Sequence, residues 1–381
     1  MVILLMIAVG LIGANSLILS PIASEVALGL GVANPADVMS AAAAYGAGVS
    51  ISALVMAPLA DRIGADIALK HALILVAAAL AISAAAPDMA FLTAGQMLAG
   101  VGVGMALPAI YTMAAVISKP GQEAQTIGKV LTGWTLAMVG GVTFSAYIAE
   151  FLGWRAVFSI LSIAVFSVLV FMYLVHIPSA PRSDKVTSPI SAMKVPGITG
   201  ALFSVAMFGA GFYGVYNYLG THITEVLGRS VSDGGQFTLL YGLGFGLAMI
   251  FDRYLDRLAP RRALAGIFAI LFGLFAIAYY ISHAFTPFAI LMFFWGMINH
   301  LGLNMTVNRL NKLDHSQRGA IMGLNSAVMY LCIFVATVGY RPLFEQWGLQ
   351  ACILVSAGMA IFGLIEALLS RQAAKAAGVT A

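Results

Sequence analysis

Apolar residues run along this chain in stretches of about twenty, separated by short polar breaks. Twelve stretches stand out, over approximately 2–24, 38–60, 66–87, 89–117, 123–149, 154–176, 196–224, 234–252, 260–282, 285–309, 318–340 and 347–370. A helix needs about 20 apolar residues, at 1.5 Å rise each, to cross the hydrocarbon of a bilayer. Backbone groups in lipid must bond within their own segment, so each stretch predicts a helix. The breaks carry turn chemistry, as in Asn34-Pro35, Pro87-Asp88, Lys119-Pro120-Gly121 and Ala259-Pro260. The longest polar segment runs from Pro178 to Pro196. It predicts a six-helix unit over 1–177, a cytoplasmic linker over 178–195 and a second six-helix unit over 196–381.

The two units echo each other. Tyr45-Gly46-Ala47-Gly48 returns as Tyr241-Gly242-Leu243-Gly244, and Asp61-Arg62 returns as Asp256-Arg257. Glu123 to Gly128 matches Arg318 to Gly323, with an offset close to 195 residues throughout. Parallel repeats of this kind are found in transporters, with a site near the membrane midplane between the halves. The expected fold is an all-α membrane protein of twelve transmembrane helices, two six-helix bundles related by a pseudo-two-fold repeat.

Composition supports this class. Hydrophobic residues make up 61% of the 381 positions and charged residues 9%, against roughly a quarter charged in a soluble domain. A water-facing surface is excluded and a lipid-facing one fits. The net charge of +4 comes from Lys and Arg in short loops, so no basic face for nucleic acid exists. With the N-terminus inside, all but Arg155, Arg229 and Arg341 of the 19 basic residues are cytoplasmic, which places both termini in the cytoplasm. The chain starts Met1-Val2-Ile3-Leu4-Leu5 without a basic n-region, and reads as a retained first helix. Cys332 and Cys352 lie in apolar stretches and read as packing residues.

Enzyme chemistry finds no support. H-E-x-x-H and G-x-S-x-G are absent, and His71, His176 and His222 sit in different spans without metal spacing. No catalytic residue, metal or cofactor is expected.

Ala57-Pro58-Leu59-Ala60-Asp61-Arg62-Ile63-Gly64 resembles the major facilitator signature G-x-L-a-D-r-x-G. The resemblance implies a conformational latch at Asp61, Arg62 and Gly64. Ala57 replaces the first glycine, and Ala65-Asp66 replaces the usual basic pair, which predicts a weaker latch. The glycine-rich run Gly133-Trp134 to Gly140-Gly141, followed by Gly153-Trp154-Arg155, is similar to the drug, sugar and nucleoside efflux branch of proton antiporters. Thr143 stands where that branch has a proline. The resemblance implies a secondary transporter of the bacterial inner (plasma) membrane that is sufficient as a monomer. Proton-coupled efflux by alternating access is its first implication; a proton-independent facilitator or uptake carrier is the alternative, and an intramembrane enzyme or transporter-like receptor a remote one.

Two positions where relatives keep buried charge are neutral here, Gln96 and the region of Asn15. Charge is kept in a membrane only where function needs it, so an uncharged cavity and a neutral or amphipathic substrate are expected. Candidate substrate-binding residues are Asn15, Gln96 and Trp134, with Tyr213, Tyr216 and Asn217 on one face of span seven. Asn299, His300 and Asn304 in span ten, with Asn325 and Tyr330 in span eleven, complete the set. His300, a titratable group in mid-span, is the candidate proton carrier. Arg309 is expected to snorkel to the cytoplasmic surface, and Glu366 to lie near it.

Overall fold

The structure, a computed structural model, describes residues 1–56, 62–119, 122–175, 177–180, 189–255, 258–314 and 317–376. Among these residues the chain runs through twelve long helices and no strand. They are α1 (Val2–Leu17), α2 (Pro35–Val55), α3 (Ala65–Ala84), α4 (Met89–Val116), α5 (Gln125–Leu152), α6 (Trp154–Leu174), α7 (Ile198–Val226), α8 (Val231–Phe251), α9 (Pro260–Ile281) and α10 (Phe285–Asn311). The last two, α11 (318–347) and α12 (349–376), are continuous except at Gly348, whose φ of 71° breaks the helical path. The first stretch is not one helix. A turn over 18–22 separates α1 from a short helix, Ala23–Leu30.

Local chemistry starts these helices. Asn34 accepts from Ala36 N at 2.9 Å ahead of α2, and Asp88 accepts from Phe91 N at 2.9 Å at the start of α4. Ser230 and Asp233 form a reciprocal capping box at the start of α8. Pro260 occupies the first turn of α9, where its missing N–H costs nothing. Gly153 (φ 85°) and Gly197 (φ 84°) supply left-handed backbone before α6 and α7.

The repeat holds at the level of single contacts. A Cβ on Gly48 of α2 would lie 2.4 Å from the Met97 carbonyl oxygen of α4, and one on Gly100 of α4 would lie 2.2 Å from the Tyr45 carbonyl oxygen of α2. In the second half, Gly244 of α8 stands in that relation to Phe293 of α10 (1.8 Å), and Gly296 of α10 to Tyr241 of α8 (2.0 Å). Each residue is 196 positions from its counterpart. Small residues let helix backbones approach, and in lipid such packing drives association.

Pairs α2–α11 and α5–α8 join the halves. The even number of helices puts both termini on one face, called here the terminal face; the opposite one is the distal face.

Candidate functional site

The middle of the molecule, where α1 and α2 meet α7 and α11, holds uncharged polar groups. Asn15 of α1 is buried and donates from Nδ2 to Gln96 Oε1 of α4 at 3.3 Å. Gln96 in turn donates from Nε2 to Ser83 Oγ of α3 at 3.0 Å. Two sequence candidates are thus brought together, and Gln96 is committed to the first bundle. Asn15 Oδ1 has no partner. Beside it stands Tyr45 of α2, 1% exposed, its hydroxyl close to the Asn15 side chain but in no hydrogen bond of good geometry. The Tyr45 ring meets Tyr330 of α11 edge-on, centroids 6.2 Å apart. Tyr330 Oη is buried without a partner as well, and so is Asn325 Oδ1, five residues earlier on α11. Tyr213 of α7 and Tyr111 of α4 complete the surround of Tyr330. A buried polar atom left unpaired costs about 1–3 kcal/mol. The groups of Asn15, Tyr45 and Tyr330 lie next to one another and gain by meeting hydrogen-bonding groups, and none of the three bears charge.

Aromatic packing holds this site on the α7 side. Phe212 stacks on Tyr216 at 5.1 Å and contacts Tyr213, Tyr241 and Trp295 at 4.9, 5.6 and 5.5 Å. Asn299 of α10 donates to the Tyr241 hydroxyl of α8 at 2.9 Å, so it supports the aromatic group. Trp134 of α5 is half-buried and lies against Gly13 of α1, where a Cβ would be 3.1 Å from the indole.

Other candidates are placed elsewhere. Asn217 is turned into the second bundle, donating to Thr337 Oγ1 at 2.6 Å. Asn304 is half-buried and makes no side-chain hydrogen bond among the described residues. His300 faces α8, with Nε2 donating to Asp252 at 3.0 and 3.1 Å to its two oxygens. Of the latch, Arg62 is exposed and Gly64 takes a left-handed φ of 97° before α3; Asp61 lies outside the described residues.

Arg309 and Glu366 correct the expectation of surface charges. Arg309 is 5% exposed and reaches Glu366 of α12 through both terminal nitrogens at 2.7 Å, with Ser204 of α7 at 2.8 Å. A planar guanidinium matches a carboxylate two-to-two, and that geometry holds the side chain inward where a lone one would reach for water.

The hydrogen bonds joining α1–α6 to α7–α12 among the described residues lie toward the distal face. Tyr216 Oη donates to the Leu17 carbonyl at 3.3 Å, and Ser20 Oγ donates to the Tyr216 carbonyl at 2.5 Å. Ser24 and Thr224 hydroxyls meet at 2.6 Å. Arg341 pairs with Asp37 across the halves and with Glu345 on its own helix at 2.8 Å. Glu150 at the end of α5 accepts from Ser232 N in the first turn of α8 at 2.6 Å. Burial, and then the Glu150 charge, push the Glu25 carboxyl at this surface up from its ordinary value. Toward the terminal face the contact across the halves among the described residues includes Leu54 packed on a cluster that contains Ile321 and Leu324.

Tyr45, Tyr241 and Asp252 are functional candidates that sequence reasoning did not single out as site residues. The first two were visible as the tyrosines that open the repeated Tyr-Gly motifs; Asp252 gave no signal beyond an acidic residue at the end of an apolar run.

A family model described as Major Facilitator Superfamily matches residues 5–337. The chain is 23% identical over 362 residues to YwfA of Bacillus subtilis, an uncharacterized MFS-type transporter, covering 93% of this chain and 87% of that one. It is 24% identical over 277 residues to a probable sugar efflux transporter of Pasteurella multocida, covering 71% and 68%. Among solved structures, the D-xylose-proton symporter superposes with a TM-score of 0.74 at 16% identity, covering 96% and 95%.

Proposed function

The chain belongs to the Major Facilitator Superfamily, and from that premise we propose that it exports a small neutral or amphipathic organic solute in exchange for protons. The observation that carries this reading is the set of unpartnered atoms Asn15 Oδ1, Tyr45 Oη and Tyr330 Oη, buried where α1 and α2 meet α11. Hydroxyl and amide groups of a solute satisfy such atoms; an ionised solute finds no countercharge among them. A relative named as a probable sugar efflux transporter supports both the direction and the substrate class.

In this reading residues 1–177 and 196–381 are the two bodies that rock about the site, joined by the linker over 178–195, and one chain suffices. The termini and the terminal face are cytoplasmic, as the Lys and Arg distribution indicates. The distal hydrogen bonds then close the outer side, which corresponds to a carrier that loads from the cytoplasm. Asn15, Gln96, Trp134, Tyr213, Tyr216, Asn299, Asn325 and Tyr330 contribute to the solute site or its support, and His300 carries the proton.

A second reading is a facilitator that moves the same solute without protons. The neutral Asn15 and Gln96 favour it. Proteoliposomes with a trapped pH dye, given neutral sugars, nucleosides, amino acids and hydrophobic drugs, separate the two. Solute-dependent proton movement supports exchange. Labelled solute crossing without it establishes the facilitator.

A further inference from the structure

The pseudo-two-fold breaks at the level of His300, and charge sits at the break. The counterpart of His300, 196 positions earlier, is Gly104. Gly104 lets α4 close on α2, since a Cβ there would lie 2.6 Å from the Val49 carbonyl oxygen. In the second half an imidazole fills this level instead, its ring edge-on to Phe245 at 4.8 Å. Phe245 is the counterpart of Val49. The α8 backbone tightens into a 3₁₀ turn over Ala248–Phe251 and delivers Asp252 to the ring. Asp252 replaces Met56 of the first half. His300 and Asp252 side chains are 13% and 30% exposed, so the pair is only partly enclosed by protein.

We propose that Asp252 and His300 form a proton-operated clasp between α8 and α10 that governs exposure of the terminal face. The inference rests on the transporter reading and adds Asp252 as an essential partner in coupling. Its physics is a count of charge. With neutral imidazole the pair carries one net negative charge, and enclosing that charge away from water is costly. Proton uptake gives imidazolium beside carboxylate, a pair of zero net charge and a stronger, charge-assisted hydrogen bond. The protonated clasp tolerates enclosure, and the deprotonated one draws water. α8 passes this preference to the first bundle, because it lies against α5: Gly242 packs on Val139 and Gly246 on Thr135.

Other charged groups stand on the surrounding elements. Arg309 of α10 is bound to Glu366 of α12. Arg261 and Arg262 open α9, and Lys129 is on α5. Arg253, Asp256 and Arg257 follow Asp252 in the chain, and their side chains lie outside the described residues.

The test uses the full chain in nanodiscs without any solute. Spin labels are attached at Gln122→Cys and Lys312→Cys, on the terminal ends of opposite halves, in a background with Cys332→Ser and Cys352→Ser. The inter-label distance distribution is measured at pH 8 and pH 5.5. The expected result is a shift with pH in the parent, no shift in His300→Gln or Asp252→Asn, and a retained shift in Asp252→Glu. A parent without pH response overturns the clasp, as does a response that survives in both neutral variants. A protein that responds through the pair yet moves no solute of the panel sinks the export reading alone. Proton-driven transport that persists in His300→Gln sinks the clasp alone.

Discussion

Tyr45 of the first bundle and Tyr330 of the second touch ring edge to ring face with centroids 6.2 Å apart, and both hydroxyls end without a partner. The contact makes one site out of two bundles, because each contributes an unfilled hydrogen bond at the same place. It also separates solute affinity from folding. Removing a hydroxyl that binds solute weakens transport, and removing one that is unpaired in the empty protein relieves a cost.

Tyr330→Phe is therefore expected to raise the apparent KM for the transported solute about 5- to 30-fold, equivalent to roughly 1–2 kcal/mol for one hydrogen bond. The solute-free variant should melt no lower than the parent. Transport kinetics and a thermal unfolding scan on the same preparation check it. A fall in Tm with unchanged KM would make the tyrosine a packing residue.

Arg309 and Glu366 are expected to behave as a unit. Arg309→Met or Glu366→Gln alone strips a partner from a buried ion pair, a loss of about 3–5 kcal/mol. Arg309→Met combined with Glu366→Leu removes the uncompensated charge and should recover most of that stability. A double-mutant cycle read by thermal unfolding in detergent decides; additive losses would deny the coupling.

Gly48→Ala and Gly244→Ala should be damaging to a similar degree, since a Cβ at either position would lie 2.4 or 1.8 Å from a backbone carbonyl oxygen. Overpacking of this kind costs about 1–3 kcal/mol, occasionally more. Gly266→Ala, with open space around its Cβ position, is the control. Folded yield by fluorescence-detected size exclusion reads all three, and equal yields would mean that the helix pairs can part at little cost.

Ser24 and Thr224, with hydroxyls 2.6 Å apart across the halves, should form a disulfide when both are cysteine. The bond locks the distal side shut. Solute transport is expected to stop on oxidation and return with reductant, in the Cys332→Ser, Cys352→Ser background. Transport that continues through the locked protein would remove this seam from the cycle.

The helices and their repeat were legible because lipid imposes a one-dimensional rule, an apolar stretch of fixed length, and because the Tyr-Gly motifs recur. The neutral pair Asn15 and Gln96 was legible as an absence of charge, and the structure adds the contact between them. Pairing across helices was not legible. Asn217 shares a helix face with Tyr213, yet its amide turns to Thr337 of α11. Arg309 reads as a surface cation until Glu366, 57 positions later, is seen beside it. His300 stood out in an apolar run, but Asp252 did not, because an acidic residue at a helix end is ordinary. The repeat offset read close to 195 from the loops and is 196 in the helix contacts, since loops absorb single-residue changes that packed glycines cannot.

The carboxylate of Glu150 holds the amide of Ser232 at 2.6 Å, so beside the capping box of Ser230 and Asp233 one more N–H in the first turn of α8 is satisfied by a residue of the other bundle. Helix starts have N–H groups that need acceptors, and an acidic one also suits the helix dipole. When the bundles separate on the distal side, that turn loses its acceptor and must find water. The closed distal side is therefore favoured by this one bond. Shortening Glu150 to Asp is expected to weaken that closure.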